Sequence, residues 1–415
     1  MTGHVQPAAD AGERGSLGTL GMIGVGFFWV SGGLFGNEIL VASAPPGVIM
    51  VAVILVALVY AVPTALVSAE LSTAIPEDGG SIVWAERAFG FTFAMHNAWW
   101  TTYVSFIFDC SLYPVLASDY ILAGGMLECP DYELVTCHAT EQTNTDDDVF
   151  VNPQRSLTAM VFVFLISLVK LGGMEIIVKL STVMSILSLL PCVIWICASI
   201  GDLDFGAIFR MGGQQETNWP LLFSFILWLN IGWIGLGALA GQVSDPARIY
   251  PRATSALFLI SMAVNIIPIM ISVSQHNESC DPTMSLFTPG FFGVLAGQKC
   301  GCWLHVGFKI GAILANVGLY VAQIMITEFT MVYLLESLFP EWSQQREESG
   351  EWLWIKQDGI APAHVLSNAA IVMVLVWIPA TSLVECSSLL GAITILVVLA
   401  SFFWLRIQDA ALERP

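Results

Sequence analysis

Ten long apolar runs, separated by polar or glycine- and proline-marked breaks, order the chain. They fall at roughly 21–44, 47–71, 90–123, 156–171, 174–200, 220–243, 252–275, 303–336, 362–384 and 387–407. A helix needs ~20 apolar residues to cross a bilayer, and the fourth run is the short one. The pattern predicts an all-α polytopic membrane protein. The first run is interrupted at its middle by Ser31-Gly32-Gly33, with Gly36 close behind. Glycine is a poor helix former, and lipid cannot hydrogen-bond a loosened backbone. A break at this depth must therefore be buried in protein or line a cavity. The sixth run carries a second interruption, Asn230-Ile231-Gly232-Trp233-Ile234-Gly235. Ten spans divide into two sets of five, and an odd set makes the second copy inverted. The two interrupted spans then open the two halves, which is the sequence signature of a midplane site in a secondary transporter. The expected organisation is a tail at 1–16, a first repeat at 17–200, a second repeat at 201–407 and a short tail at 408–415.

Composition agrees with a membrane domain. Hydrophobic residues make up 56% of the chain and charged residues only 11%, where soluble domains carry about 25%. The start, Met1 to Ser16, is polar and has no basic n-region, so no cleavable signal is expected. A net charge of −19 argues against nucleic acid as a partner. Cys110, Cys192, Cys197 and Cys386 lie in or beside apolar runs and read as packing residues. Cys129, Cys137, Cys280, Cys300 and Cys302 lie in or at the edge of two polar loops, where disulfides form if those loops are outside the cell. Cys300-Gly301-Cys302 is not a zinc spacing, and no metal is expected.

Basic residues set the expected orientation. With the N-terminus inside, ten of the 14 lysines and arginines fall on the inner side. Arg155, Arg210 and Lys299 fall outside, and Lys309 lies within a span. Both termini are therefore expected in the cytoplasm, in a multi-pass protein of the plasma membrane. The triplet Asn277-Glu278-Ser279 then makes Asn277 an outward-facing glycosylation acceptor.

Three motifs carry a family resemblance: Ser31-Gly32-Gly33-Leu34-Phe35-Gly36, Pro76-Glu77-Asp78-Gly79-Gly80-Ser81-Ile82-Val83-Trp84, and the stretch from Ala240-Gly241-Gln242 through Asp245-Pro246 to Ala253. In order and register they resemble the amino acid–polyamine–organocation transporter superfamily, and within it the L-type amino acid and plant and protist polyamine uptake group. Ser111 to Leu116 resembles that group as well. The resemblance runs from about Gly21 to Arg406. It implies a leucine-transporter-like fold of two inverted five-helix repeats with helices 1 and 6 broken. Members usually carry twelve spans, and the tenth is the last in this sequence. The absent pair would bear on oligomer or partner-subunit contacts more than on the binding site.

A broken helix offers free N–H groups at the start of its second half and free carbonyls at the end of its first. The former favour a carboxylate, the latter an ammonium or a coupling cation, H+ or Na+. The resemblance assigns solute contact to the two breaks, hence to Ser31, Gly32, Gly33, Phe35, Gly36, Asn230, Gly232 and Gly235. Trp233 and Phe225 have the bulk of a gate. Glu38 and Asp109 are the acids deepest in the spans, and a carboxylate there is a functional candidate by default. Glu70 and Glu328 lie nearer the inner ends, His96 reads as a core histidine, and Lys309 is placed to snorkel. No cofactor loop or nucleophile–base pair points to an enzyme. The expected activity is alternating-access transport of a small amine-bearing solute across the bilayer. A non-transporting receptor or partner subunit that keeps the fold is the reading of another class. Polyamine carriers of this group resemble the chain at Glu38 and Asp109 but tend to place further acids in the sixth and eighth spans. Here those places hold Ile234, Val321 and Gln323, with Glu328 further along. This half-present acidic ladder favours an amino acid, neutral or cationic, with a polyamine as the alternative.

Overall fold

The computed structural model describes residues 17–122, 129, 152–171, 174–212, 216–276, 287–338 and 362–408. Asn277, Cys137, Cys280, both tails and most of the acidic loop lie outside the described residues. Among the described residues every regular element is a helix, with two isolated bridges, Leu17 to Val243 and Asp78 to Leu239. Seven helices are long and apolar enough to cross a membrane. The broken first span, the third span and the shorter Pro362–Leu375 bring the set to the expected ten.

The first span is Thr19–Val30 followed, after a break, by Asn37–Val41. The second is Pro46–Ala74. The third runs through Phe91–Trp99, a π-helical segment Trp100–Ser105, and Phe106–Leu122. Pro153–Lys170 and Met174–Ser199 are the fourth and fifth. The sixth is the α-helix Trp219–Trp228 and then the 3-10 segment Ile231–Ala238. Pro246–Gln275, Cys302–Leu338, Pro362–Leu375 and Ala380–Gln408 complete the set. Starts are marked by familiar local chemistry. Asn152 caps the fourth span by accepting from the Gln154 amide at 3.0 Å, and Asn218 caps the sixth by accepting from Leu221 at 3.2 Å. Prolines stand in the first turn of the second, fourth, sixth and seventh spans, where no amide partner is lost.

Leu17 and Gln408 lie at one end of the bundle, here the terminal end. The opposite end carries the short helix Phe291–Cys300 and a disulfide between Cys129 and Cys302, with Cα atoms 5.6 Å apart. It joins the far end of the third span to the start of the eighth. Apolar side chains such as Leu55, Leu58, Val59 and Leu66 are exposed on the outside of the bundle, as lipid contact requires.

Several expectations are corrected. The ninth and tenth spans do not divide at Glu385 and Cys386, which sit exposed within the last helix. They divide at Pro379, which has no N–H to continue a helix and disfavours the helical conformation of Ile378. The seventh span begins at Pro246, so Arg248 and Arg252 are helical. Cys110 and Cys192 are buried, but Cys197 and Cys386 are exposed on the bundle surface. His96 is exposed, its ring bonded to the Thr92 carbonyl, and Lys309 is buried at 4% exposure and does not snorkel.

Candidate transport site

The two interruptions meet at the middle of the bundle but are built differently. In the first span Gly32, Gly33 and Gly36 have φ of +63°, +112° and +100°. These are values that side-chain-bearing residues rarely adopt. The α-helix ends as Ser31 and Gly32 both donate to the Phe27 carbonyl at 2.9 Å. In the sixth span the α-helix stops at Trp228, and the chain continues in 3-10 form with no left-handed glycine. There Gly232 is pressed onto the first span: a Cβ on it would stand 1.5 Å from the Trp29 carbonyl oxygen. Asn230 is buried and turns back to bond the Ile226 carbonyl at 2.8 Å, closing the α-helical half.

A cavity lies where these breaks face the third and eighth spans. Its walls are Trp29, Val30 and Ser31 from the first span, and Phe106, Asp109 and Tyr113 from the third. Trp228, Leu229, Ile231, Gly232 and Gly235 of the sixth and Leu319, Gln323 and Ile326 of the eighth close it. Trp29 is fixed by its indole N–H on the Ala322 carbonyl at 2.8 Å, so the first and eighth spans hold each other across the wall.

Asp109 is 5% exposed and is the acid of that lining. One carboxylate oxygen accepts from the Trp228 indole at 2.7 Å and from Ser387 at 3.3 Å. The other accepts from the Tyr113 hydroxyl at 2.6 Å. All three donors are neutral. They orient the carboxylate without cancelling its charge, and its lone pairs have room for about one further donor.

Ser31, Asp109, Gly232 and Gly235 are thus brought together on the cavity wall, as the sequence suggested. Gly32 and Gly33 shape the bend but do not line the cavity; the Leu319 side chain covers Gly32, and the Phe35 ring lies beside Gly33. Phe35 stands beyond them with its ring edge-on to Tyr120 at 5.8 Å and Phe308 at 6.3 Å. Gly36 donates its amide to Glu38 at 3.0 Å and to the Tyr120 hydroxyl at 2.9 Å. Glu38 is 1% exposed and also accepts from Tyr120 at 3.1 Å and from the Gly290 amide at 3.2 Å. It is not in the outer mouth in water, and it does not line the cavity. Trp233 is fully buried against Phe258, with ring centroids 6.1 Å apart, and Phe225 packs edge-on to Trp228. Neither lines the cavity; Trp29 and Trp228 are the indoles that do. Glu328 is bound to Lys170 in a buried pair at 2.6 Å and does not extend an acidic ladder, whereas Gln323 reaches the wall. Glu70 is paired with Arg406 near the surface of the terminal end.

The amino acid permease family profile matches residues 17–415. The chain belongs to that family. It is an integral membrane transporter for a small organic solute. A probable polyamine transporter of Arabidopsis thaliana is 27% identical over 391 residues, covering 94% of this chain and 74% of the relative. The polyamine transporter RMV1 of the same plant is 24% identical, covering 99% and 77%. The polyamine transporter PUT1 of Oryza sativa subsp. japonica is 22% identical, covering 99% and 71%. The crystal structure of MhsT in complex with L-phenylalanine superposes with a TM-score of 0.61 at 12% identity, covering 96% of this chain and 97% of MhsT. At that identity the likeness speaks for the fold, which is leucine-transporter-like.

Proposed function

We propose that this permease moves an organic polyamine by alternating access, coupled to a cation, H+ or Na+. The observation that carries the reading is Asp109. A buried carboxylate on the cavity wall, held by three neutral donors, attracts an ammonium that brings both a donor and the missing charge. The aromatic side chains of Trp29, Phe106 and Trp228 line the same cavity. Some of the amides that the carboxylate of an amino acid would use at the first break are already taken. At the first break the amides of Ser31 and Gly32 are taken by Phe27, and that of Gly36 by Glu38. The names of the plant relatives support the same class. An amino acid remains the second reading, supported by the family's description.

The terminal end faces the cytoplasm in this proposal, in the plasma membrane, with 1–16 and 408–415 as tails and repeats at 17–200 and 201–407. Arg87, Lys170, Arg248, Arg252 and Arg406 at that end, against Arg155, Arg210 and Lys299 at the other, support it. A cysteine introduced in 124–155 is then expected to react with an impermeant reagent on intact cells; labelling only after permeabilisation would reverse the orientation. The substrate is tested by uptake into proteoliposomes with putrescine, arginine and leucine as competitors, with and without H+ and Na+ gradients. Putrescine is expected to compete best. Competition by leucine alone would replace the polyamine with an amino acid.

A further inference from the structure

The two halves of the bundle repeat one device at opposite ends. Between the second and third spans lies the short helix Ser81–Phe89, between the left-handed Gly79 and Gly80 (φ +113° and +52°) and Gly90 (φ +87°). Between the seventh and eighth spans lies Phe291–Cys300, between the left-handed Gly290 (φ +100°) and Gly301 (φ +97°). Each is a short rod with a glycine joint at either end, and such joints absorb the backbone change when a rod swings.

Each rod is tied by a carboxylate to the broken span of the other half. At the terminal end Asp78, just before its rod, accepts from the Gly241 amide at 2.9 Å and from the Gln242 side chain at 2.6 Å. The Gly79 amide adds a bond to the Ala238 carbonyl at 3.1 Å. These partners form the far end of the sixth span. At the opposite end the Gly290 amide, at the head of its rod, donates to Glu38 in the second half of the first span. Glu38 reaches the third span as well, through Tyr120. Beneath it Phe35, Tyr120 and Phe308 form an aromatic layer between the cavity and that end.

We propose that Glu38 and Asp78 are the paired positioning residues of alternating access. Glu38 closes the cavity toward the Phe291–Cys300 end and Asp78 closes it toward the terminal end. Both ties are made in this structure. Opening either end separates a broken span from the opposite half's rod, and the tie at the other end must then hold. Carboxylate bonds to N–H and O–H groups suit this task because they exchange for water when an end opens; the Glu38 tie is buried, while the Asp78 tie already lies at the surface. The proposal goes beyond the substrate reading and needs only that the chain is a transporter.

Reagent access to the cavity from each side tests it. Ser31→Cys places a reporter on the cavity wall, and its reaction with an impermeant thiol reagent is followed in right-side-out and inside-out vesicles, with the parent chain subtracted. Glu38→Gln is expected to speed labelling from one side about tenfold, the shift that ~1.4 kcal/mol produces. Asp78→Asn should do the same from the opposite side only. The milder Tyr120→Phe and Gln242→Ala should act in the same directions with smaller effects, and they decide the matter if the carboxylate variants do not fold. A reversed membrane orientation exchanges the two sides and leaves their opposition intact. A lost solute binding alone changes uptake and not labelling. Equal labelling in all variants, or acceleration from the same side by both, would overturn the proposal.

Discussion

The two breaks that shape the cavity use glycine for different reasons. In the first span, an added Cβ on Gly36 would make only ordinary contacts, the nearest atom being 3.7 Å away, but its φ is +100°. In the sixth, Gly232 has no left-handed φ, but an added Cβ would meet the Trp29 carbonyl oxygen at 1.5 Å. One position needs a backbone freedom and the other needs an absent side chain. The same run of glycines in an apolar span therefore encodes a bend in one half and a close crossing in the other. The outcome is asymmetric. The bend creates a short second helix that carries Glu38, while the crossing locks the first and sixth spans together and leaves Asp109 facing the space beside it.

Substitutions separate these roles. Gly232→Ala is expected to be the most damaging, because a backbone carbonyl cannot step aside as a side-chain tip can. No correctly folded transporter should be recovered in a monodisperse state, and a folded, active variant would remove the crossing from the account. Gly36→Ala should fold, at a cost of ~1–2 kcal/mol for the left-handed conformation. Gly36→Asn should recover part of that, since asparagine tolerates positive φ better. Thermal unfolding in detergent reads both, and equal midpoints for the two variants would deny that φ is the constraint. Gly235→Ala should cost least, ~1 kcal/mol, because its Cβ would meet the movable end of the Ile326 side chain. Its expected signature is a changed KM with little loss of stability, since Gly235 lines the cavity.

The fold was largely legible because it rests on run length and on glycine, both of which are local. Ten spans, their alternation and the paired interruptions can be read from the chain without any contact. The ninth-to-tenth boundary is hidden in the sequence because Glu385 and Cys386 look like a polar break, while Pro379 marks the real one inside an apolar stretch. The site was only half legible. Asp109 stood out because a mid-bilayer carboxylate is costly. Ser31, Gly232 and Gly235 stood out by composition. Trp29 and Trp228 did not, since an indole in an apolar helix looks like packing until its N–H is seen to hold Ala322 or Asp109. The bulk of Trp233 suggests a gate, but the winding changes from α to 3-10 between Trp228 and Trp233, and Trp233 does not line the cavity. The surroundings of Glu38 are not legible in the sequence, because its partners Tyr120 and Gly290 are 82 and 252 positions away.

The central claim is that Asp109 receives the solute's amine. It is tested most directly by ligand-dependent thermal stability of the purified protein and its Asp109→Asn variant. A ligand that binds only the folded state at ~100 times its dissociation constant adds ~2.7 kcal/mol. Putrescine should raise the unfolding midpoint of the native chain, leucine should do so less, and Asp109→Asn should fold but lose the putrescine shift. An undiminished putrescine shift in Asp109→Asn, or a shift with leucine alone, would contradict it.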